Sequence, residues 1–379
     1  MKIVYCIPSC HNSGGMERVL SVKANYLAQC HDITIITTSQ HNKEPYFTFS
    51  SNIKLIDLDI NYDDLENLSP YKKIFYLSKK KALHKKRLKT VLHSIKADIV
   101  VSLFTHEISF LYKIKDGSSK LLELHFSKYF RNLDDKYNNA NILKKTISRL
   151  LNYRDFNLTK KYNKFIVLTQ EDKLDWKGLK NIDVIPNPIS FSSNIKTDYH
   201  SKEVIAAGRL CPQKGFDLMI KIWSKLNKDI QEQWHLTIYG SGPDEKLLQE
   251  LIYSYNLEKN ITLHAPVKNI THEYLNSSIF CFTSRYEGFG MTLAEAMSCG
   301  LACISFDCPC GPSEIIDHQN GILIKSFDIN SFVSKLEQLM QDESLRKNIG
   351  EKAYYSIRSQ FSLEKIMQKW LNVFNDLKK

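Results

Sequence analysis

Short apolar runs rich in β-branched residues recur along the chain, each followed by a stretch whose apolar positions return every three to four residues. In the first half these runs lie at 2–7, 33–37, 98–103, 120–124, 164–168 and 183–185, and in the second at 203–207, 235–239, 261–264, 279–282, 302–306 and 322–324. Such runs suit strands buried on both faces, and helical stretches at 16–29, 77–95, 216–226 and 244–255 lie between them. The alternation predicts an α/β chain of parallel sheets covered by helices on both faces. Pro186-Asn187-Pro188 breaks it, because two prolines in three residues stop any regular element and mark a linker. The expected domains are therefore 1–190 and 191–360, followed by a last helix within 361–379. That helix carries Leu363, Ile366, Trp370, Phe374 and Leu377 on one stripe, with Ser362 as its expected N-cap, and it needs a surface to dock on.

A length of 379 residues exceeds one ordinary core and agrees with two domains. The 43% hydrophobic and 11% aromatic content is that of a globular protein, not a disordered one. No apolar run approaches the ~18 residues of a membrane span. The apolar start gives way at once to polar Ser9, so it reads as a core strand rather than a signal peptide. Nine cysteines, mostly in apolar surroundings, suggest buried thiols in a reducing cytoplasm. Cys299, Cys303, Cys308 and Cys310 crowd together without the paired C-x2-C spacing of a zinc site, so no metal is expected.

The net charge of +11 is uneven: residues 1–190 hold 31 Lys+Arg against 19 Asp+Glu, and the remainder 21 against 22. Much of the excess lies between Lys72 and Lys96. There Lys72, Lys73, Lys79, Lys80, Lys81, Lys85, Lys86, Arg87 and Lys89 interleave with Ile74, Phe75, Tyr76, Leu77, Leu83, Leu88, Val91 and Leu92. A helix with an apolar stripe and a cationic face suits an anionic membrane surface, which predicts peripheral attachment at the inner face of the membrane. No recognition motif accompanies the patch, so nucleic acid is not the expected partner.

Chemistry concentrates at a few loops. Glu287-Gly288-Phe289-Gly290-Met291-Thr292-Leu293-Ala294-Glu295 follows an apolar run and opens a helix-favouring stretch. A strand, a glycine turn and a helix N-terminus form an anion site, while carboxylates beside it are suited to accept hydrogen bonds from sugar or ribose hydroxyls. Gly208-Arg209-Leu210-Cys211-Pro212-Gln213-Lys214-Gly215 follows the first strand of the second half, and its two cations suit a diphosphate. Ser13-Gly14-Gly15 follows the first strand of the first half, where paired glycines allow a backbone to approach a ligand. It is not the G-x-G-x-x-G fingerprint, which argues against an NAD enzyme. His125 ends the fourth strand and His106 follows the third, and both are candidate active-site histidines.

Together these segments resemble the retaining glycosyltransferases of family four, which have the GT-B fold of two facing Rossmann-like domains and an interdomain cleft. The resemblance runs over nearly the whole chain and is most specific in the Glu-x7-Glu segment and the stretch after it. It implies an acceptor-binding first domain and a nucleotide-sugar-binding second domain, with the last helix docking back on the first. Arg209 and Lys214 would bind the donor diphosphate, Glu295 the ribose hydroxyls and Glu287 the transferred sugar. The amides of Phe289, Gly290, Met291 and Thr292 would receive sugar hydroxyls and phosphate, and Gly15 would sit under the diphosphate. His125 corresponds to the family's active-site histidine, although Glu-Leu-His-Phe-Ser departs from the more usual Glu-His-Asn neighbourhood. The implied activity is metal-independent transfer of a hexose or N-acetylhexosamine, most simply from a UDP-sugar, to a surface polysaccharide, lipopolysaccharide or lipid-linked glycan. The alternatives are a GT-B sugar-nucleotide epimerase and a non-catalytic sugar-nucleotide-binding subunit.

Overall fold

The computed structural model describes residues 1–378 except 66–67, 138–139 and 191–193; the side chains at positions 70 and 137 also lie outside the description. Thirteen strands form two wholly parallel sheets. The first contains β1 Lys2–Cys6, β2 Asp32–Thr37, β3 Lys54–Asp57, β4 Ile99–Ser102, β5 Ser119–Glu123, β6 Lys164–Val167 and β7 Ile182–Val184, in the order β3-β2-β1-β4-β5-β6-β7. The second contains β8 Glu203–Ala207, β9 His235–Tyr239, β10 Ile261–His264, β11 Ile279–Phe282, β12 Ala302–Asp307 and β13 Ile322–Lys325, in the order β10-β9-β8-β11-β12-β13.

In each sheet the strand order reverses once, between β1 and β4 and between β8 and β11. Loops leaving the carboxyl ends of two such strands diverge to opposite faces and leave a crevice, which is where ligands of open parallel sheets bind. The loops singled out by sequence leave those strands. Gly14 and Gly15 follow β1, and the Gly208–Gly215 and Ser284–Gly290 loops follow β8 and β11.

The chain divides into two compact units: Met1–His125, Leu150–Ser190 and Leu363–Lys379 form the first, and Phe126–Arg149 and Phe191–Ser362 the second. The last helix, Leu363–Lys378, thus packs within the first unit, burying Ile366, Met367, Trp370 and Phe374. A boundary at 190 places 126–149 in the first domain; the contacts group that segment with the second unit. The expected junction at 190–191 runs into 191–193, outside the described residues.

The second unit's core shows why these segments adopt these elements. Helix Phe216–Trp223 buries Phe216, Met219, Ile220 and Trp223 against Val204 and Ala206 of β8 and Leu236 and Ile238 of β9. Each such Phe, Ile or Met contributes roughly 1.5–3 kcal/mol when fully buried. Eight of the described cysteines are buried or half-buried, Cys30 alone is exposed, and all nine are free thiols.

Candidate active site

In the second unit the loops after β8 and β11 are bolted together. Gly215, at φ 64°, ends the first; a β-carbon there would lie 2.2 Å from the Thr283 carbonyl, so only glycine allows the approach. The Thr283 hydroxyl donates to the Gly215 carbonyl at 2.9 Å. Arg285 then crosses between the loops. Its guanidinium donates to the Pro212 carbonyl at 2.6 Å and, in a fork, to both Asp217 oxygens at 2.8 and 2.6 Å. Its own amide donates to the Gln213 carbonyl at 2.7 Å. Two planar N–H···O bonds fix direction as well as distance, so the fork sets where the Pro212–Lys214 turn lies.

The bolted loops bring two predicted residues together. Lys214 Nζ donates to Glu287 Oε1 at 2.6 Å, and the Ser284 hydroxyl donates to the same oxygen at 2.6 Å. The pair is partly open, with 17% of the Lys214 side chain and 7% of that of Glu287 exposed. Cys308 is a buried neighbour whose thiol is pushed well up by burial, with the Glu287 charge adding and Lys214 opposing, so it stays neutral. Arg209 stands exposed at the start of its loop.

Gly290, at φ 94°, is the N-cap of helix Met291–Ser298, a conformation open to glycine. The first intrahelical bond is Ala294 N–H to the Gly290 carbonyl at 3.1 Å, so the amides before it have no partner inside the helix and project at its positive end. Met291 and Thr292 are half-exposed there, and the buried Thr292 Oγ1 has no hydrogen-bond partner. Phe289 is turned inward, edge-on to Phe361 at 5.4 Å. Glu295 lies one turn into the helix and is buried, 2% exposed.

In the first unit Gly15 opens helix Gly15–Leu27, exposed, with Glu17 buried in its first turn. His125 follows β5, its side chain 6% exposed, with Nε2 3.3 Å from Glu123 Oε1. Glu123 is itself gripped by Lys23, whose ammonium stands 2.5 and 2.7 Å from its two oxygens. The Trp370 ring of the last helix covers that ammonium at 3.7 Å. Burial alone would push the Glu123 carboxyl up, but Lys23 and His125 outweigh it and bring it to about 2. Burial draws the Lys23 ammonium down and Glu123 opposes. Glu123 is thus a fixed anion beside the His125 imidazole. His106, the other candidate, opens the short helical turn His106–Ser109 after β4; it stacks on Tyr62 at 3.8 Å, and burial, with Lys81 and Arg154, lowers it to about 4.

Sequence reading finds Lys214 and Glu287 but not their pairing, and it misses Arg285, Asp217, Lys23 and Glu123. A signal for Lys23 exists: it shares the buried stripe of Val19, Leu20, Ala24 and Leu27, where a charge needs a buried partner.

Residues 189–355 match the family model described as glycosyl transferases group 1. The amylovoran biosynthesis glycosyltransferase AmsD of Erwinia amylovora is 36% identical over 222 residues, which cover 56% of this chain and 62% of that protein, a little less than two thirds of its length. A Campylobacter jejuni α-1,4-N-acetyl-D-galactosaminyltransferase, named for its action on a diNAcBac-PP-undecaprenol-linked GalNAc disaccharide, is 26% identical over 387 residues, 100% of this chain and 99% of that one. The fold is similar to the crystal structure of an S. aureus TarM mutant in complex with fondaparinux, α-GlcNAc-glycerol and UDP. That match has a TM-score of 0.79 at 18% identity and covers 99% of each chain. Residues 189–355 thus carry the group 1 glycosyl transferase signature, and the chain has the GT-B fold over its length.

Proposed function

We propose that the chain is a retaining glycosyltransferase that moves a hexose or N-acetylhexosamine from a UDP-sugar to a growing surface glycan, in the form of a polysaccharide, lipopolysaccharide or lipid-linked acceptor. The observation that carries this reading is the Lys214–Glu287 pair held beside the amino end of helix Met291–Ser298. Departure of a nucleoside diphosphate builds negative charge on its leaving oxygen. Lys214, Arg209 and the free amides of the first helical turn oppose that charge without a metal ion. Glu295 takes the ribose hydroxyls and Glu287 the hydroxyls of the transferred sugar. Gly15 takes the diphosphate from the first unit, and His125, held by ionised Glu123, takes the sugar's 6-hydroxyl.

The UDP in the TarM structure supports the choice of base, and the undecaprenol-linked substrate named for the Campylobacter relative supports a lipid-linked acceptor. Among the described residues no helix is long and apolar enough to cross a membrane. Contact with an anionic membrane surface at its inner face is assigned to helix Pro70–Ile95, which exposes Tyr71, Ile74, Phe75 and Tyr76 among its lysines. Lys80 and Arg87 are spoken for there: Lys80 Nζ donates to the Ile60 and Asn61 carbonyls at 2.6 and 2.5 Å, and Arg87 Nη1 to the Asp59 carbonyl at 2.7 Å. Lys72, Lys73 and Lys79, which neighbour the exposed aromatics, are the cations to reverse; Lys85, Lys86 and Lys89 are exposed further along the helix.

The test is donor turnover by Lys214→Ala and Glu295→Ala, alongside thermal shifts with UDP-, GDP- and ADP-sugars, since a ligand of the folded state raises its stability. A UDP-sugar shift in the wild type and a loss of turnover of about a hundredfold or more in each variant are expected. Wild-type rates in both would remove the site assignment.

A further inference from the structure

Helix Ile142–Thr159 is built inside out. Its protein-facing side is polar: Ser148, Asn152, Asp155 and Thr159, spaced by four, three and four residues, are 6%, 8%, 2% and 0% exposed. The opposite side presents Ile142, Leu143, Ile147, Leu150 and Tyr153, which are 83%, 69%, 47%, 63% and 70% exposed. At about 100° per residue these five side chains fall within an arc of about 140°. Because they stand on one continuous helix, their mutual placement is independent of how the two units are arranged. Scattered surface leucines are ordinary, but a contiguous apolar stripe over a polar buried side is a contact surface.

We propose that this stripe inserts into an anionic lipid bilayer, as a second contact beside the basic helix Pro70–Ile95; the inference extends the membrane reading given above and rests on it. Charge selects the occupant. Lys145 and Arg149 border the stripe and are exposed, with Lys144 beside them held by Asp135 at 3.2 Å, whereas the one acidic residue of the helix, Asp155, is buried and paired with Arg154 at 2.8 Å. A second copy of the chain would bring the same cations against these, and like charges across a self-interface repel. An anionic bilayer offers phosphates to the cations and hydrocarbon to the stripe, the arrangement of interfacial helices. The second half of this helix, from Leu150 on, adjoins the basic helix within the first unit, since the Lys81 ammonium is half-buried beside Arg154 and Asp155.

The test is co-sedimentation of the full chain with vesicles of phosphatidylcholine alone and of equal parts phosphatidylcholine and phosphatidylglycerol, at low and high salt. Screening removes the electrostatic attraction but not apolar insertion, so the wild type keeps a salt-resistant bound fraction on the anionic vesicles. The variant Leu143→Ser/Leu150→Ser/Tyr153→Ser loses that fraction and binds about tenfold more weakly or worse at low salt. Its thermal midpoint and its UDP-sugar thermal shift stay at the wild-type values. Lys72→Glu/Lys73→Glu/Lys79→Glu separates the two readings: if it binds as the wild type does while the stripe variant detaches, the basic-helix reading fails and the stripe stands. Wild-type binding by the stripe variant overturns the inference, as does complete release of the wild type by salt. So does a wild-type dimer in sedimentation equilibrium that the stripe variant dissolves, or a wild type that pellets with neither vesicle.

Discussion

Each unit holds a lysine–glutamate pair near its candidate residues, and the two pairs share a geometry but not an environment. Lys23 and Glu123 meet at 2.5 Å with side chains 2% and 1% exposed, whereas Lys214 and Glu287 meet at 2.6 Å with 17% and 7% exposed. The first pair is sealed by the Trp370 ring on one side and the first sheet on the other. Glu123, gripped by Lys23, also lies 3.3 Å from His125 Nε2, so the pair holds an anion beside that imidazole. The second pair sits on two loops at the sheet's switch point, where under the proposed function a diphosphate would compete with Glu287 for the same ammonium. Depth of burial thus separates a sealed pair from an open one.

The most severe way to break the contrast is to remove one partner of the sealed pair. Lys23→Met leaves Glu123 buried without its cation, and unfolding in urea should show a loss of about 3–5 kcal/mol. Adding Glu123→Leu restores most of that loss, because two apolar side chains of similar volume replace two desolvated ions. A single variant as stable as the wild type would mean that water reaches the pair.

The open pair predicts a change in function instead. Glu287→Gln leaves the thermal midpoint within a few degrees of the wild type, since the site is partly hydrated and Ser284 can still donate to the amide oxygen. It frees Lys214 for phosphate and tightens UDP binding, yet lowers turnover by about a hundredfold through loss of the sugar contact. Calorimetric UDP affinity and turnover should therefore move in opposite directions. A parallel fall in both would show that Glu287 helps to bind the diphosphate rather than competing with it.

The same contrast governs what was legible in the sequence. Twelve of the thirteen strands stand out because buried parallel strands are unbroken apolar runs. The exception is β3, Lys-Leu-Ile-Asp, an edge strand paired with β2 alone and largely exposed, so no run of core residues marks it. Lys214 and Glu287 stand out because loop glycines and a helix start frame them, but the 73 residues between them conceal their pairing. Lys23 and Glu123 are 100 residues apart on a helix and a strand that read simply as core. The inside-out helix Ile142–Thr159 escapes notice for a related reason: periodicity reveals that a helix has an apolar side, not whether that side is buried.

The smallest expected effect lies in the first unit, in a buried group that carries no charge. His84 is 1% exposed, takes part in a hydrogen bond at 3.0 Å between its Nδ1 and the Tyr62 hydroxyl, and packs edge-on to Phe110 at 5.0 Å. Burial, with a smaller push from His106, lowers it from the usual value near 6.5 to about 3. As pH falls below about 6.5 the unfolded chain therefore binds a proton that the folded chain refuses, and stability declines by about 1.4 kcal/mol per pH unit for this group. Glu123 acts in the same direction but lower down: its carboxylate contributes stability above the unfolded value near 4.5, and that contribution is lost as pH falls towards about 2. The histidine thus acts alone above about pH 4.5, and the sealed pair joins it below. His84→Gln keeps a hydrogen-bond acceptor for Tyr62 and removes the titration, so between pH 7 and pH 5 it should lose about 2 kcal/mol less than the wild type in urea unfolding. The difference should keep widening until about pH 3, where the folded His84 takes up its own proton, and only below that should the two fall together. Equal slopes above pH 5 would place the His84 proton in the folded state and contradict its burial.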